Sequence, residues 1–218
     1  MIKACIFDMD GTTVNTINSI AYFANNALNK FNLPSIDTER YKILVGNGAK
    51  VLVERMIAES GGSPDMLDDV LPEYNSTYDN DFMYLTEPYE GIVDLLKELK
   101  RRGITVAILS NKPDNTAKKV SDALFGDELI DYCMGGIDGI ALKPSPEGLE
   151  KLLKDLNLNR EECLYIGDTS TDMQTGKNGK MYTIGVLWGF RGREELESSG
   201  ADCIISHPSE IIDIIDKH

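Results

Sequence analysis

The stretch KACIFDMDGTTVN, Lys3 to Asn15, runs four apolar residues into two carboxylates, Asp8 and Asp10, that stand either side of Met9. An apolar run of that length, closed by the turn residue Gly11, predicts a buried strand of a parallel sheet with both acids at its carboxyl end. Side chains two apart on a strand share a face, and like charges that close oppose one another's ionisation unless a cation lies between them. The pair therefore calls for a metal or a shared proton.

Outward from this strand the pattern changes twice. Ile17, Ile20, Phe23, Ala24, Ala27 and Leu28 recur at helical spacing, and further helices are expected over 38–44, 48–59 and 65–81. No strand pattern interrupts that block. From Tyr89 onward strand and helix alternate: a helix over 91–101, strand ITVAILS, a helix over 116–124, a short strand near Tyr132, a helix over 146–156, strand CLYIGD, a helix around Met173, then strands TIGVLW and ADCIIS and a final helix. Alternation of this kind specifies an α/β fold, a parallel Rossmann-like sheet flanked by helices. The helical block then reads as a cap domain inserted at 15–83, and the core as 1–14 with 84–218.

The chain has 218 residues, ample for a substantial core, and 22 basic against 36 acidic side chains give a formal charge of −14. That balance repels phosphate backbones and anionic lipid, so nucleic acid and membrane surfaces are not expected partners. No cationic leader precedes the first strand and no run is long enough to span a bilayer, which gives the expectation of a cytoplasmic protein, a monomer or weak homodimer. Cys5, Cys133, Cys163 and Cys203 lie far apart with no CxxC pair, so reduced thiols are expected rather than disulfides or zinc.

In an open α/β sheet ligands bind beyond the carboxyl ends of the strands. The residues found there are Asp8 and Asp10 after the first strand, Ser110, Asn111 and Lys112 in AILSNK, Lys143 before the helix that begins near Pro146, and Asp168 and Asp172 in LYIGDTSTD. Such a set suits phosphoryl transfer. Magnesium takes oxygen ligands and holds a phosphate through one or two carboxylates, which fits Asp8 and Asp168 with a carbonyl from Asp10. Asp8, nearest the buried backbone, is the expected nucleophile and Asp10 the acid that protonates the leaving alkoxide and later activates water. Ser110, Asn111 and the backbone amides around Asp10 and Gly11 are expected to hold the phosphate, with Lys143 offsetting its charge. Asp8-x-Asp10-Gly11 is not a calcium loop, because the sixth and twelfth positions are Thr13 and Ser19 in place of Gly and Glu. GNGAK, from Gly46 to Lys50, lacks the spacing and hydroxyl residue of a nucleotide-binding loop. Trp188 is expected to pack at a strand end, His207 to lie on the surface, and Arg191 to face solvent unless the cap closes on it.

Taken together these motifs resemble the haloacid dehalogenase superfamily, in its phosphatase branch with a helical cap after the first motif. DMDGTTVN is similar to the first motif, LSNKP to the second, Lys143 with Pro144 to the third, and IGDTSTD to the fourth. The resemblance implies a nucleophile at Asp8, an acid/base at Asp10 and a catalytic Lys143. It also implies a magnesium site drawn from Asp8, Asp10, Asp168 and Asp172, with Asp172 in a supporting place. VGNGAKVLVER, SNKP, MGG and GVLWGFRGREEL look most like phosphoglycolate phosphatases. Thr13, where the family usually has leucine, and GKNGK after Asp172 depart from the pattern. The expected substrate is a small phosphorylated metabolite, phosphoglycolate first. Pyrophosphate, nucleotide or sugar phosphates, a mutase reaction, or non-catalytic phosphate binding are the alternatives. In the cap, Asn47 and Gly48 are expected to bring backbone to the ligand, and Lys50 or Arg55 to pair with a substrate carboxylate.

Overall fold

The computed structural model describes residues 1–218. Strand β1 (Ala4–Phe7) leads through a two-residue strand β2 (Val14–Asn15) into four helices: α1 (Ile17–Lys30), α2 (Thr38–Leu44), α3 (Ala49–Glu59) and α4 (Leu67–Asn80). A second short strand, β3 (Glu87–Pro88), returns the chain to alternation. There α5 (Ile92–Arg101), β4 (Thr105–Pro113), α6 (Asp114–Leu124), α7 (Gly126–Leu129), β5 (Tyr132–Gly136) and α8 (Glu147–Asp155) follow in turn. The chain ends with β6 (Cys163–Gly167), α9 (Ser170–Asn178), β7 (Tyr182–Val186), α10 (Arg193–Ser198), β8 (Cys203–Ile205) and α11 (Glu210–Ile215).

Six strands form one sheet in the order β5-β4-β1-β6-β7-β8, and every pairing in it is parallel. The alternation of strand side chains explains why β1 is apolar without interruption. Cys5 and Phe7, with Val106, Ile108, Leu164 and Ile166 of the neighbouring strands, face one hydrophobic cluster. Ala4 and Ile6, with Ala107, Leu109, Cys163 and Tyr165, face another on the opposite side. Helices cover both faces, so neither set of side chains meets water. Because β4 lies on one side of β1 and β6 on the other, their carboxyl ends open a crevice at the point where the strand order reverses.

The helices α1–α4 pack around a cluster of 19 buried residues of their own, of which Phe190 alone comes from outside the block. Two features escape the sequence reading. The connections into and out of the helical block pair as an antiparallel ribbon, Val14 with Pro88 and Asn15 with Glu87, and a short helix, α10, stands between β7 and β8. The cysteines are unpaired, with Cys5 and Cys163 buried and Cys133 and Cys203 partly so.

Leu28 in the helical cluster and Leu96 in the sheet cluster are both fully buried. Leu28→Ala and Leu96→Ala should each cost about 2–5 kcal/mol by the usual cavity rule. The double variant should add the two within about 0.5 kcal/mol, since they share no cluster. Urea unfolding of the three variants measures this, and a larger non-additivity would show the two cores to be one.

Candidate active site

Lys143 is the centre of charge. Its ammonium lies 2.7 Å from Asp8 Oδ1 and 2.7 Å from Asp172 Oδ1, with all three side chains at most one-tenth exposed. Burial alone would lower the lysine, but Asp172 and Asp8 outweigh it and hold the ammonium well above its usual range. The backbone of Lys143 is pinned by the Asn111 side chain, which accepts from its amide at 2.8 Å and donates to its carbonyl at 2.9 Å.

Asp168 and Asp172 follow β6. Asp168 Oδ1 accepts from the Thr12 hydroxyl at 3.0 Å and Oδ2 from the Phe190 amide at 2.7 Å. Asp172 stands in the first turn of α9, where Oδ2 accepts from both the amide and the hydroxyl of the N-cap residue Thr169. Its Oδ1 accepts from Lys143 at 2.7 Å and from the Tyr165 hydroxyl at 3.4 Å. A carboxylate offers about four acceptor positions. Asp172 has filled them, whereas Asp168 keeps roughly half.

Oxygens of Asp8, Asp168 and Asp172 lie within 4.8 Å of one another, all buried. Burial first, then the charge of Asp172, push the Asp8 carboxyl up to about 7 against the pull of Lys143. Asp168 is raised well above the carboxylate range by the same two causes. Three buried carboxylates with a single ammonium among them are short of positive charge, and a divalent cation with oxygen preference fits that deficit.

Gly11 is held at φ +93°, and a Cβ there would fall 2.3 Å from Asp168 Oδ2. Gly189 comes equally close, since a Cβ there would fall 2.3 Å from Asp168 Cβ and 2.4 Å from the Gly11 carbonyl oxygen. Both glycines let backbone close around this carboxylate.

Asp8 and Asp10, whose spacing calls for a metal or a shared proton, have separate cationic partners. Asp10 pairs with Lys112, whose Nζ is 3.1 Å from each of its oxygens, and each acid thus has its own lysine. Among the influences on Asp8, Asp10 is the smallest. Lys112 is also placed 4.5 Å from the ring centroid of Tyr78 on α4, a cation–π contact that ties the acid to the helical insertion. It lies in β4, which continues to Pro113, three residues past the end expected from ITVAILS. The spacing of Ser110 and Lys112 was the available signal, since residues two apart share a face.

A cavity of about 660 Å³, counted with its open mouth, separates these groups from the insertion. Asp8, Asp10, Ser110, Asn111, Lys112 and Lys143 line its floor, with Gly46 and Gly48 at the rim. Other expected residues stand elsewhere. Lys50 is exposed beside Glu54, because the inward face of α3 is marked by Leu52, Val53, Met56 and Ile57. Arg55 donates to the Leu44 carbonyl at 2.8 Å and so serves the carboxyl end of α2. Neither lines the cavity. Asn47 donates to Thr171 Oγ1 at 3.2 Å, a contact between insertion and core. The Gly11 amide donates to the Val14 carbonyl at 2.9 Å and is not free for a phosphate oxygen. Asn111 lines the cavity, but its amide hydrogens go to the Gly46 and Lys143 carbonyls, so it is a positioning group. Ser110 accepts from the Lys112 amide at 3.2 Å, which leaves its own hydrogen to donate.

Arg191, expected at the surface unless the cap closes, is 11% exposed, 3.2 Å from Glu195 and 3.3 Å from the Val45 carbonyl. Trp188 donates to the Thr12 carbonyl, and His207 is exposed.

Comparison with known proteins agrees with this architecture. The profile of the haloacid dehalogenase-like hydrolase family matches residues 5–186. The N-acetylmuramic acid 6-phosphate phosphatase of Pseudomonas aeruginosa is 29% identical over 99% of this chain and 96% of its own. The phosphoglycolate phosphatase of Aquifex aeolicus is 28% identical over 100% and 98%. A crystal structure from Lactobacillus delbrueckii subsp. bulgaricus superposes with a TM-score of 0.91 at 31% identity, covering 98% of each chain. The chain belongs to the haloacid dehalogenase-like hydrolase family and is an enzyme of its phosphatase branch.

Proposed function

We propose that the protein is a magnesium-dependent phosphomonoester hydrolase that works through an aspartyl-phosphate at Asp8 on a small phosphorylated metabolite. The observation that carries this reading is the buried trio Asp8, Asp168 and Asp172, facing a cavity that also presents Asp10, Ser110 and Lys143. Phosphoglycolate is the substrate suggested by the resemblance and by the names of several relatives. The insertion at 15–83 is read as a cap that closes the cavity from water.

The groups divide the work by position. Asp8 Oδ1 is held by Lys143, which leaves Oδ2 to attack phosphorus as the ester P–O bond breaks. Asp10 gives its proton to the departing alkoxide and then takes one from the water that cleaves the acyl phosphate, releasing inorganic phosphate and restoring Asp8. Ser110 and the Asp10 amide donate to the phosphoryl oxygens, and Lys143 balances their charge. Asp8 and Asp168, with the Asp10 carbonyl, would hold magnesium, while the filled Asp172 keeps Lys143 in place. The ion, when bound, neutralises phosphoryl charge and lets the anionic Asp8 approach it.

Hydrolysis of a generic phosphoester should therefore vanish in chelator and return with magnesium. Calcium should not replace it, because its looser coordination would engage both oxygens of Asp8. Asp168→Asn should raise the magnesium concentration needed by about tenfold or more. Metal titration tests all three, and full activity in chelator would refute the assignment.

Asp8→Asn should abolish turnover, whereas Asp10→Asn should retain phosphate binding and lower kcat by roughly 10²–10⁴, the usual worth of a general acid/base. Steady-state kinetics with circular dichroism to confirm folding makes the comparison, and an Asp8→Asn protein with native turnover would sink the nucleophile role.

A further inference from the structure

The insertion is closed on the core in this structure. Gly46 accepts from Asn111 at 3.0 Å, Asn47 reaches Thr171 at 3.2 Å, and Val45 accepts from Arg191 at 3.3 Å. The wall it presents to the cavity is therefore the wall that a bound phosphoester's alcohol portion would meet. That wall contains no lysine, arginine or histidine. Its apolar part is Ile20, Val45, Ala49 and Leu52, and its polar part is Asn75, Asp79 and the rings of Tyr74 and Tyr78.

The two cations on the floor are already committed. Lys143 lies between Asp8 and Asp172, and Lys112 holds both oxygens of Asp10. Arg191 lies outside the cavity lining, against Glu195. Among the residues that line the cavity no uncommitted ammonium or guanidinium is present to receive a substrate carboxylate, which would approach Asp79 and Asp10. A charge buried without a partner is heavily penalised, and a like charge nearby adds to the penalty. Uncharged polar groups meet the opposite conditions. The Tyr78 side chain is 4% exposed, and its hydroxyl makes no well-formed hydrogen bond in the protein, although Lys112 and Ser19 stand near it. A buried hydroxyl in that state needs a partner, and one lining a binding cavity is placed to take it from a ligand. Asn75 and the Asp79 carboxylate, which already accepts from Thr116, add acceptors for hydroxyl hydrogens.

We infer that the site selects phosphomonoesters whose alcohol portion is uncharged and hydroxyl-bearing, of the polyol or sugar kind, and discriminates against those that carry a carboxylate. This rests on the phosphatase reading above and reverses its first substrate.

Matched pairs test the point with the native protein and magnesium: phosphoglycolate against its neutral amide, and 6-phosphogluconate against glucose 6-phosphate. The uncharged member of each pair should have the higher kcat/KM by about tenfold or more. Asn75→Lys, which places an ammonium on the wall, should shift both ratios toward the carboxylated member by about tenfold. Turnover that favours the carboxylated members, or treats both alike, overturns the inference and leaves the phosphatase reading standing. Ratios that Asn75→Lys leaves at their native values overturn the assignment of this wall to the substrate. Failure to hydrolyse any of the four, together with a generic phosphoester, overturns both.

Discussion

The site depends on one buried ammonium. Without Lys143, Asp8 and Asp172 would face each other across a water-poor space with nothing between them, and two such carboxylates do not both stay ionised. Burying ions is costly, and a buried pair is retained where geometry and further hydrogen bonds compensate its desolvation. Here the compensation is visible in full. Asn111 grips the lysine backbone from both sides, and Thr169 and Tyr165 fill the remaining acceptors of Asp172. The parallel sheet supplies the framework, because β4, β1 and β6 are neighbours and deliver Asn111, Asp8 and Asp168 to one edge.

The same groups couple chemistry to closure. Asn111 holds Lys143 and also donates to Gly46 of the insertion. Lys112 holds Asp10 and lies near the Tyr78 ring. Phe190 donates its amide to Asp168 while its side chain joins the hydrophobic cluster of the insertion. Each of these residues has one contact in the machinery and another in the helical block. Opening the block would therefore disturb the positions of Lys143, Asp10 and Asp168 together. A closed insertion would thus hold this set of charges in register.

Much of this was legible in the residues alone. The strand β1 could be read because both of its faces are covered, which makes the apolar run continuous, and the rule that ligands sit beyond strand ends gathered Asp8, Ser110, Lys143, Asp168 and Asp172. The ribbon of Val14–Asn15 with Glu87–Pro88 could not, since two-residue strands carry no periodicity. Helix α10 was hidden by its brevity and charge, REELES. The partner of Asp10 was missed because β4 continues beyond its apolar part. Lys50 and Arg55 were misplaced for a different reason: charge draws the eye, but the apolar stripe of α3 determines what faces inward. Hydrogen-bond commitments such as those of Gly11 and Asn111 join residues far apart in the chain and have no local signature.

The central claim is that Asp8, held by Lys143, becomes covalently phosphorylated. The direct test is to mix the protein with magnesium and a phosphoester it hydrolyses, quench in acid within the first turnover, and reduce with borohydride, which converts an aspartyl phosphate to homoserine. Peptide mass spectrometry should find homoserine at position 8 and nowhere else in the native protein, and none in Asp8→Asn. An unmodified Asp8 during active turnover, or homoserine at another aspartate, would contradict the account.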